Sequence, residues 1–326
     1  MTKMLQFIVV LFTVFVRAVE GTNQEQIIVH MPLVTTEKKG EYICYAHPLD
    51  GFDEKYLASS LIEVNAESNL VHHVSIGVCG EPASDTNLWR CSNTHLKGKN
   101  CNGAAVNFVG WDDLIGSHDK FTPPKELSIK VGRKTQYRYL LIEVHFSEIL
   151  KDPTVPAANV TLSLSNKPGS LLYQSYLLLN SGFIPPHQPH GFFTDIACPW
   201  NKPSVMTYRY YLHTHHNGLL VEGYIVRNGT WKLIGSQLSK DQPKETYNIP
   251  GGPLEIRRGD ILTARCLYIN NSSTKIDFGL RSEMCNFNIE FGYKPEDESY
   301  FLRPLGCMTD SPTFSFCSRH QTSGIC

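Results

Sequence analysis

Apolar and polar positions alternate along short stretches of this chain, at 41–45, 71–78, 137–146, 159–164, 207–213, 219–226, 261–268 and 287–291. A period of two sends successive side chains to opposite faces, the pattern of a strand with one face in a core. β-Branched and aromatic residues fill these stretches. Turn-forming clusters such as Asn166-Lys167-Pro168-Gly169 and Pro250-Gly251-Gly252-Pro253 separate them. Within 226–231, Asn228-Gly229 accepts the positive φ angles of a type I′ turn and predicts a hairpin. Convincing helical periodicity is nearly absent, so the pattern predicts an all-β chain built as two antiparallel β-sandwiches.

Length supports two units, because 326 residues exceed what one hydrophobic core usually serves. The Pro-Gly pair within 167–170 is the expected junction, giving domains at 22–167 and 168–308 and a tail at 309–326. Residues 1–21 read as a secretory signal: Lys3 supplies the positive start, 5–16 is apolar, and Ala18 and Gly21 offer cleavage points. The run is shorter than a membrane-spanning helix, and no later segment is apolar enough, so a released protein of the secretory lumen with no membrane span is expected.

Composition narrows the partners and the compartment. A net charge of −1 argues against nucleic acid or an anionic membrane surface as partner. Ten cysteines without a Cys-x-x-Cys pair point to disulfides in an oxidising compartment. Cys44, Cys79, Cys91 and Cys101 fall in the first half, Cys198, Cys266, Cys285 and Cys307 in the second, and Cys317 and Cys326 in the tail. These even counts favour bridging within each half but leave the connectivity open. Sequons at Asn159, Asn228, Asn270 and Asn271 suit the same compartment.

The candidate chemistry lies in four short pieces: Val71-His72-His73, Glu143-Val144-His145, His213-Thr214-His215 and Glu283-Met284-Cys285. On a strand, His213 and His215 project to one face and can chelate one ion. Adjacent His72 and His73 normally face opposite ways, so joint ligation with His145 requires a bulge. Any of these histidines taken alone has a plain alternative as a surface or core residue, and Met284 as core filling. Together they make one all-imidazole site and one site with a thioether, a soft donor that suits copper, particularly Cu(I). A zinc hydrolase would need a nearby general base and leaves Met284 unexplained.

The order His72-His73, His145, His213-Thr214-His215 and Glu283-Met284-Cys285-Asn286 resembles the copper type II, ascorbate-dependent monooxygenases, with the resemblance running from about residue 27 to 307. The stretches 213–218 and 223–235 are more similar to the peptidylglycine branch than to the dopamine β-hydroxylase branch. The resemblance implies two jelly-roll-like β-sandwiches with one copper on each, ascorbate as reductant and O2 as co-substrate. By it, His72, His73 and His145 hold an electron-storing copper, while His213, His215 and Met284 hold the copper that meets oxygen and substrate. It further implies bridges Cys44–Cys91, Cys79–Cys101, Cys198–Cys307 and Cys266–Cys285, with Cys317 and Cys326 left to pair in the tail.

For the peptidylglycine branch the implied substrate is a glycine-extended peptide, hydroxylated at the α-carbon of its C-terminal glycine. A separate lyase would then release the amide, because this chain ends soon after Cys307. Tyr42 and Asn286 match family positions near the substrate. Tyr211 stands where peptide relatives carry an arginine that clamps the substrate carboxylate, and Asn288 replaces a tyrosine. Arg209 shares strand parity with Tyr211 and is a candidate surrogate for that clamp. Glu143 and Leu212 match the catecholamine branch. These departures keep two alternatives open: the same chemistry on another small secreted substrate such as a phenethylamine, or a secreted copper-binding protein without catalysis.

Overall fold

A computed structural model describes residues 16–18, 24–65, 70–91, 100–112, 120–238, 246–279, 282–303 and 305–312. The proposed tail pair Cys317 and Cys326, and most of the predicted signal segment, lie outside the described residues. Within that segment, Val16–Ala18 forms a short strand against Gln24–His30.

The first half is a sandwich. One layer carries Gln24–His30, Ala158–Ser165, Lys55–Val64 and Leu127–Val131; the other runs Leu88–Cys91, Glu41–Pro48, Tyr139–Phe146, Val71–Cys79, Ala105–Asp112. Alternation sends Val29, Ile62, Val160 and Leu162 from one layer, and Ile43, Val74, Ile76, Ile142 and Val144 from the other, into a shared core. In the second half, Gln188–Pro199, Ile261–Asn270, Gly218–Arg227 and Thr230–Leu238 form one layer. It faces Leu171–Ile184, Asn286–Tyr293 and Val205–His213 across a core that contains Trp200, Val221, Ile225, Tyr268, Phe287, Ile289 and Phe291.

The Asn228-Gly229 turn has φ values of 52° and 77°, both positive, and closes the hairpin at the Arg227–Thr230 pair. Two features depart from the purely antiparallel expectation. The start of Leu171–Ile184 pairs parallel with Leu127–Val131, fusing one layer of each half into a single 13-stranded sheet, and Leu305–Ser311 adds parallel to Leu171–Ile184. The junction at 167–170 is accordingly pinned: the Gly169 N–H donates to Ser128 Oγ, and a side chain at Gly169 would bring its Cβ to 2.5 Å from the Glu126 carbonyl oxygen.

Four disulfides, Cys44–Cys91, Cys79–Cys101, Cys198–Cys307 and Cys266–Cys285, each stay within one half. The sequons differ in access. Asn228 and Asn271 are exposed, and Asn159 is partly exposed with its Oδ1 2.7 Å from His30 Nδ1. Asn270 is only 2% exposed, and its amide donates to the Pro185 and Thr274 carbonyls while its Oδ1 accepts from Ser272. That nitrogen has no path to a glycan, which corrects the expectation for Asn270.

Candidate metal centres

The first cluster forms where three neighbouring strands end. Tyr139–Phe146 lies between Glu41–Pro48 and Val71–Cys79, with His145 opposite His73 on one side and Tyr42 on the other. The next residue, Phe146, pairs with Val71, so His72 is the extra residue of a β-bulge. This is the distortion that two adjacent histidines need in order to turn toward the same place. The ring centroids of His72, His73 and His145 stand 4.9–5.3 Å apart, and each ring offers a nitrogen within 4.8 Å of the others. All three are partly buried. Tyr42 stacks flat on His145, with centroids 4.0 Å apart and planes 5° from parallel. Its ring therefore belongs to this cluster and steadies the His145 imidazole.

Cys44, Cys91 and Glu143 also come within ligating reach of one another, but the two cysteines are bonded to each other and offer no thiolate. Glu143 accepts a 2.5 Å hydrogen bond from Asn100 Nδ2 beside that bridge. The group is a disulfide with a buried carboxylate next to it, not a metal site.

The second cluster is assembled by a loop as much as by strands. The strand Val205–His213 ends at His213, so His215 does not reach its position by strand alternation, contrary to the sequence reading. It is held there by Glu283, whose fully buried carboxylate accepts from the backbone N–H groups of His215, Asn217 and Met284. The imidazoles of His213 and His215 lie 4.9 Å apart at 80°. His215 Nδ1 is 2.9 Å from the Ser282 carbonyl oxygen; donating there fixes the tautomer and presents Nε2 as the free donor. On the other side of Glu283, the Met284 carbonyl accepts from the Tyr268 hydroxyl at 2.6 Å. The Met284 sulfur lies 3.5 Å from Asn286 Nδ2, and Asn286 is the register partner of His213. Burial, and secondarily the neighbouring His215, lowers the His213 pKa to about 4, so its ring is neutral and able to donate a lone pair at physiological pH.

The candidate donors of the second cluster are two imidazoles and the thioether of Met284, which lies beside Asn286, the register partner of His213. The carboxylate of the adjacent Glu283 is occupied by backbone N–H groups. Such a soft, uncharged set fits Cu(I), and the three imidazoles of the first cluster fit copper as well. Nothing in the sequence around Glu283 assigns it a task; its position between the histidine loop and Met284 becomes evident only when the chain is folded.

Beyond His213 the same sheet face continues. The pairs His213–Asn286, Tyr211–Asn288 and Arg209–Glu290 form successive rows, flanked on the next strand by Leu179, Leu177 and Ser175. The alternate residues Tyr210, Leu212, Phe287 and Ile289 point into the core. Arg209 is not a spare cation. Its Nε and Nη2 lie 2.7 and 2.6 Å from Glu290 Oε2, and its Nη1 donates to the Thr122 carbonyl at 3.0 Å. The sequence candidate for a carboxylate clamp is thus already paired, which corrects that expectation.

A profile of the copper type II ascorbate-dependent monooxygenase N-terminal domain matches residues 26–153, and one of the C-terminal domain matches 170–307. Peptidyl-glycine alpha-amidating monooxygenase B of Xenopus laevis is 30% identical over 280 residues, covering 83% of this chain and 30% of that protein. The Mus musculus peptidyl-glycine alpha-amidating monooxygenase is 29% identical over 268 residues, 81% of this chain and 26% of that protein. Dopamine beta-hydroxylase of Homo sapiens is 23% identical over 262 residues, 75% of this chain and 42% of that protein. The chain therefore spans less than half the length of each of these relatives.

Proposed function

Since the chain belongs to the copper type II, ascorbate-dependent monooxygenases, we propose that it is a secreted enzyme that hydroxylates the α-carbon of the C-terminal glycine of peptides, the first step of peptide amidation. The overall change inserts one oxygen atom of O2 into a C–H bond and releases the other as water. Ascorbate supplies two electrons and two protons. Copper, when bound, supplies one-electron storage and O2 activation.

The observation that carries the reading is the pair of donor clusters, one of three imidazoles and one of two imidazoles and a thioether, on separate sandwiches. Each ion can store only one electron, so two are needed for a two-electron insertion. His72, His73 and His145 would hold the electron-storing ion; His213, His215 and Met284 would hold the one that meets O2 and substrate. The residues around them have distinct tasks: the His72 bulge turns two neighbours inward, Tyr42 braces His145, and Glu283 ties the His215 loop to Met284. The two halves meet through one shared sheet and through side-chain contacts such as Arg209 with the Thr122 carbonyl, and the turn at 167–170 joins them, so the proposed boundary lies there, with a signal segment at 1–21 and a tail after 308.

Greater similarity to the amidating relatives than to dopamine beta-hydroxylase supports a peptide substrate. A lyase step would then cleave the hydroxyglycine product. A second reading, a phenethylamine substrate, draws support from the absence of a free arginine on the row that contains Tyr211 and Asn288. The four disulfides suit an oxidising lumen, and no helix among the described residues is long and apolar enough to cross a membrane.

Oxygen uptake by copper-loaded protein with ascorbate, compared across glycine-extended peptides and phenethylamines, tests the assignment. Peptide-dependent uptake with one oxygen added at the terminal glycine is expected. Uptake with amines alone reassigns the substrate, and no uptake with either class from fully loaded protein removes the enzymatic reading.

A further inference from the structure

The outer face of the second half's four-stranded layer is apolar near the Asn228-Gly229 turn, where a solvent face is ordinarily polar. Val221 and Ile225 face the core, so alternation turns Glu222, Tyr224 and Val226 outward. Across the hairpin, Tyr224 pairs with Leu233 and Val226 with Trp231. Thr263 and Ile261 continue these two rows on the next strand, and both rows reach the Gln188–Pro199 strand. Trp231 is 44% exposed and Leu233 46%. The Tyr224 ring meets the indole edge-on with centroids 5.4 Å apart, while its hydroxyl bonds Glu222. The ring therefore belongs to the apolar patch and the hydroxyl to the row beyond it.

That next row is charged and bounds the patch. Glu222 pairs with Arg265, whose guanidinium is bonded to Asp195. Two rows about 7 Å apart, across four strands about 4.8 Å apart, cover roughly 270 Å². A specific interface between two proteins takes about 800 Å² from each partner, so the patch is too small to be the centre of one. It is nonetheless a liability, because the Thr230–Leu238 strand is the edge of its layer and presents exposed Trp231 and Leu233 beside unpaired backbone. The occupant that fits is small, amphipathic and local.

The hairpin supplies a place to attach one. Asn228-Gly229-Thr230 is a sequon, exposed at all three residues, and Asn228 lies two residues, roughly 7 Å of strand, beyond the Val226–Trp231 row. Arg227, the residue between, is bonded to Asp260 and the Glu255 carbonyl, so its guanidinium is not free to cover the indole. We propose that Asn228 carries an N-linked glycan whose first N-acetylglucosamine packs on Trp231 and shields the patch. Attachment joins Asn228 Nδ2 to the anomeric carbon of the sugar. It breaks that carbon's bond to the diphosphate of a lipid-linked oligosaccharide donor, and the amide proton leaves with the lipid diphosphate. One face of the sugar presents C–H bonds, which match the electron-rich face of indole, while its hydroxyls stay in water. Tethering so close to Trp231 makes the contact intramolecular, at an effective concentration that a free partner does not reach. The proposal rests on passage through the secretory lumen and is independent of the copper chemistry.

The test uses the full chain secreted from a eukaryotic host. Glycopeptide mapping should find sugar at Asn228. Asn228→Asp removes the sugar and keeps a pair that favours the same turn; it should lower Tm by about 2–4 °C and raise the binding of an apolar dye. Thr230→Val, which leaves Asn228 in place, should agree. Trimming the glycan with an endoglycosidase that leaves one N-acetylglucosamine should keep Tm within about 1 °C of the untrimmed protein, since the first sugar makes the contact. In a Trp231→Ala background, Asn228→Asp should shift Tm by less than about 1 °C, the signature of a coupled pair. An equal loss in both backgrounds overturns the proposal, as does an unmodified Asn228 in protein that carries sugar at Asn159 or Asn271. Glycosylated protein that is dimeric, and becomes monomeric on Trp231→Ala, would overturn it by assigning the face to a second copy. Sugar at none of the three positions would remove the secretory reading together with the proposal.

Discussion

Met284 shows how much a single side chain carries. Its sulfur is the only soft donor proposed for the second cluster, and its backbone is held from two sides, through N–H by Glu283 and through carbonyl by Tyr268. The backbone anchors do not depend on the side chain, so a substitution here changes the donor and leaves its placement. Met284→His should keep copper stoichiometry, measured by metal analysis, yet lower turnover by about 100-fold or more, because a harder donor shifts the balance away from Cu(I). Turnover at the wild-type rate would remove Met284 from the chemistry. The convergence of His72, His73 and His145 was legible in the sequence because histidines are uncommon in this spacing. What Glu283 and Arg209 do was not legible: both are charged residues on a strand or next to one, and only folding shows that one is enclosed by backbone N–H groups and the other by Glu290.

Strands were legible where one face is wet. The Tyr139–Phe146 and Ile261–Asn270 strands alternate in sequence and in burial, and the expected bulge is present at His72. The Leu171–Ile184 strand, by contrast, was not predicted. It is covered on both faces along much of its length, so its sequence Leu171-Leu172-Tyr173-Gln174 lacks a period of two. Glycines reveal a constraint of a different kind. Gly223 and Gly235 are register partners in the Gly218–Arg227/Thr230–Leu238 hairpin, and a Cβ on them would overlap the Phe287 and Tyr210 rings respectively. Those rings stack 5.5 Å apart, and Phe287 lies between Asn286 and Asn288 in the strand behind the site. Gly223→Ala should therefore cost about 1–3 kcal/mol of stability in chemical denaturation, through overpacking. Gly51→Ala, where nothing lies within 4 Å, is the control and should change stability by less than about 0.5 kcal/mol. Equal effects at the two positions would mean that the hairpin does not press on Phe287.

At the scale of the molecule, the two-domain plan was legible from length and turn clusters, but the fusion of the halves through one sheet was not, because parallel pairing of Leu171 with Leu127 leaves no local signature. One charged link across that fusion, beside the Lys130–Glu298 pair, is Arg209, which bonds Glu290 on its neighbouring strand and the Thr122 carbonyl of the other half. Burial raises the Glu290 pKa, and Arg209, with a hydrogen bond from Tyr173, opposes the rise, so removing the guanidinium lets burial push it higher. A carboxyl whose folded-state pKa is raised stabilises the fold below its unfolded pKa, near the ordinary value of 4.5, and that contribution is lost as pH climbs through the folded value. Arg209→Met should consequently destabilise the protein by about 3–5 kcal/mol at pH 7, with a smaller deficit at pH 5, where more of Glu290 is protonated. Adding Glu290→Gln should recover much of the loss, because the uncompensated charge is then gone. Urea denaturation of the wild type and the two variants at both pH values measures this. A deficit that is the same at pH 5 and pH 7 and survives Glu290→Gln would show that Arg209 joins the halves by packing on Phe121 and not by charge.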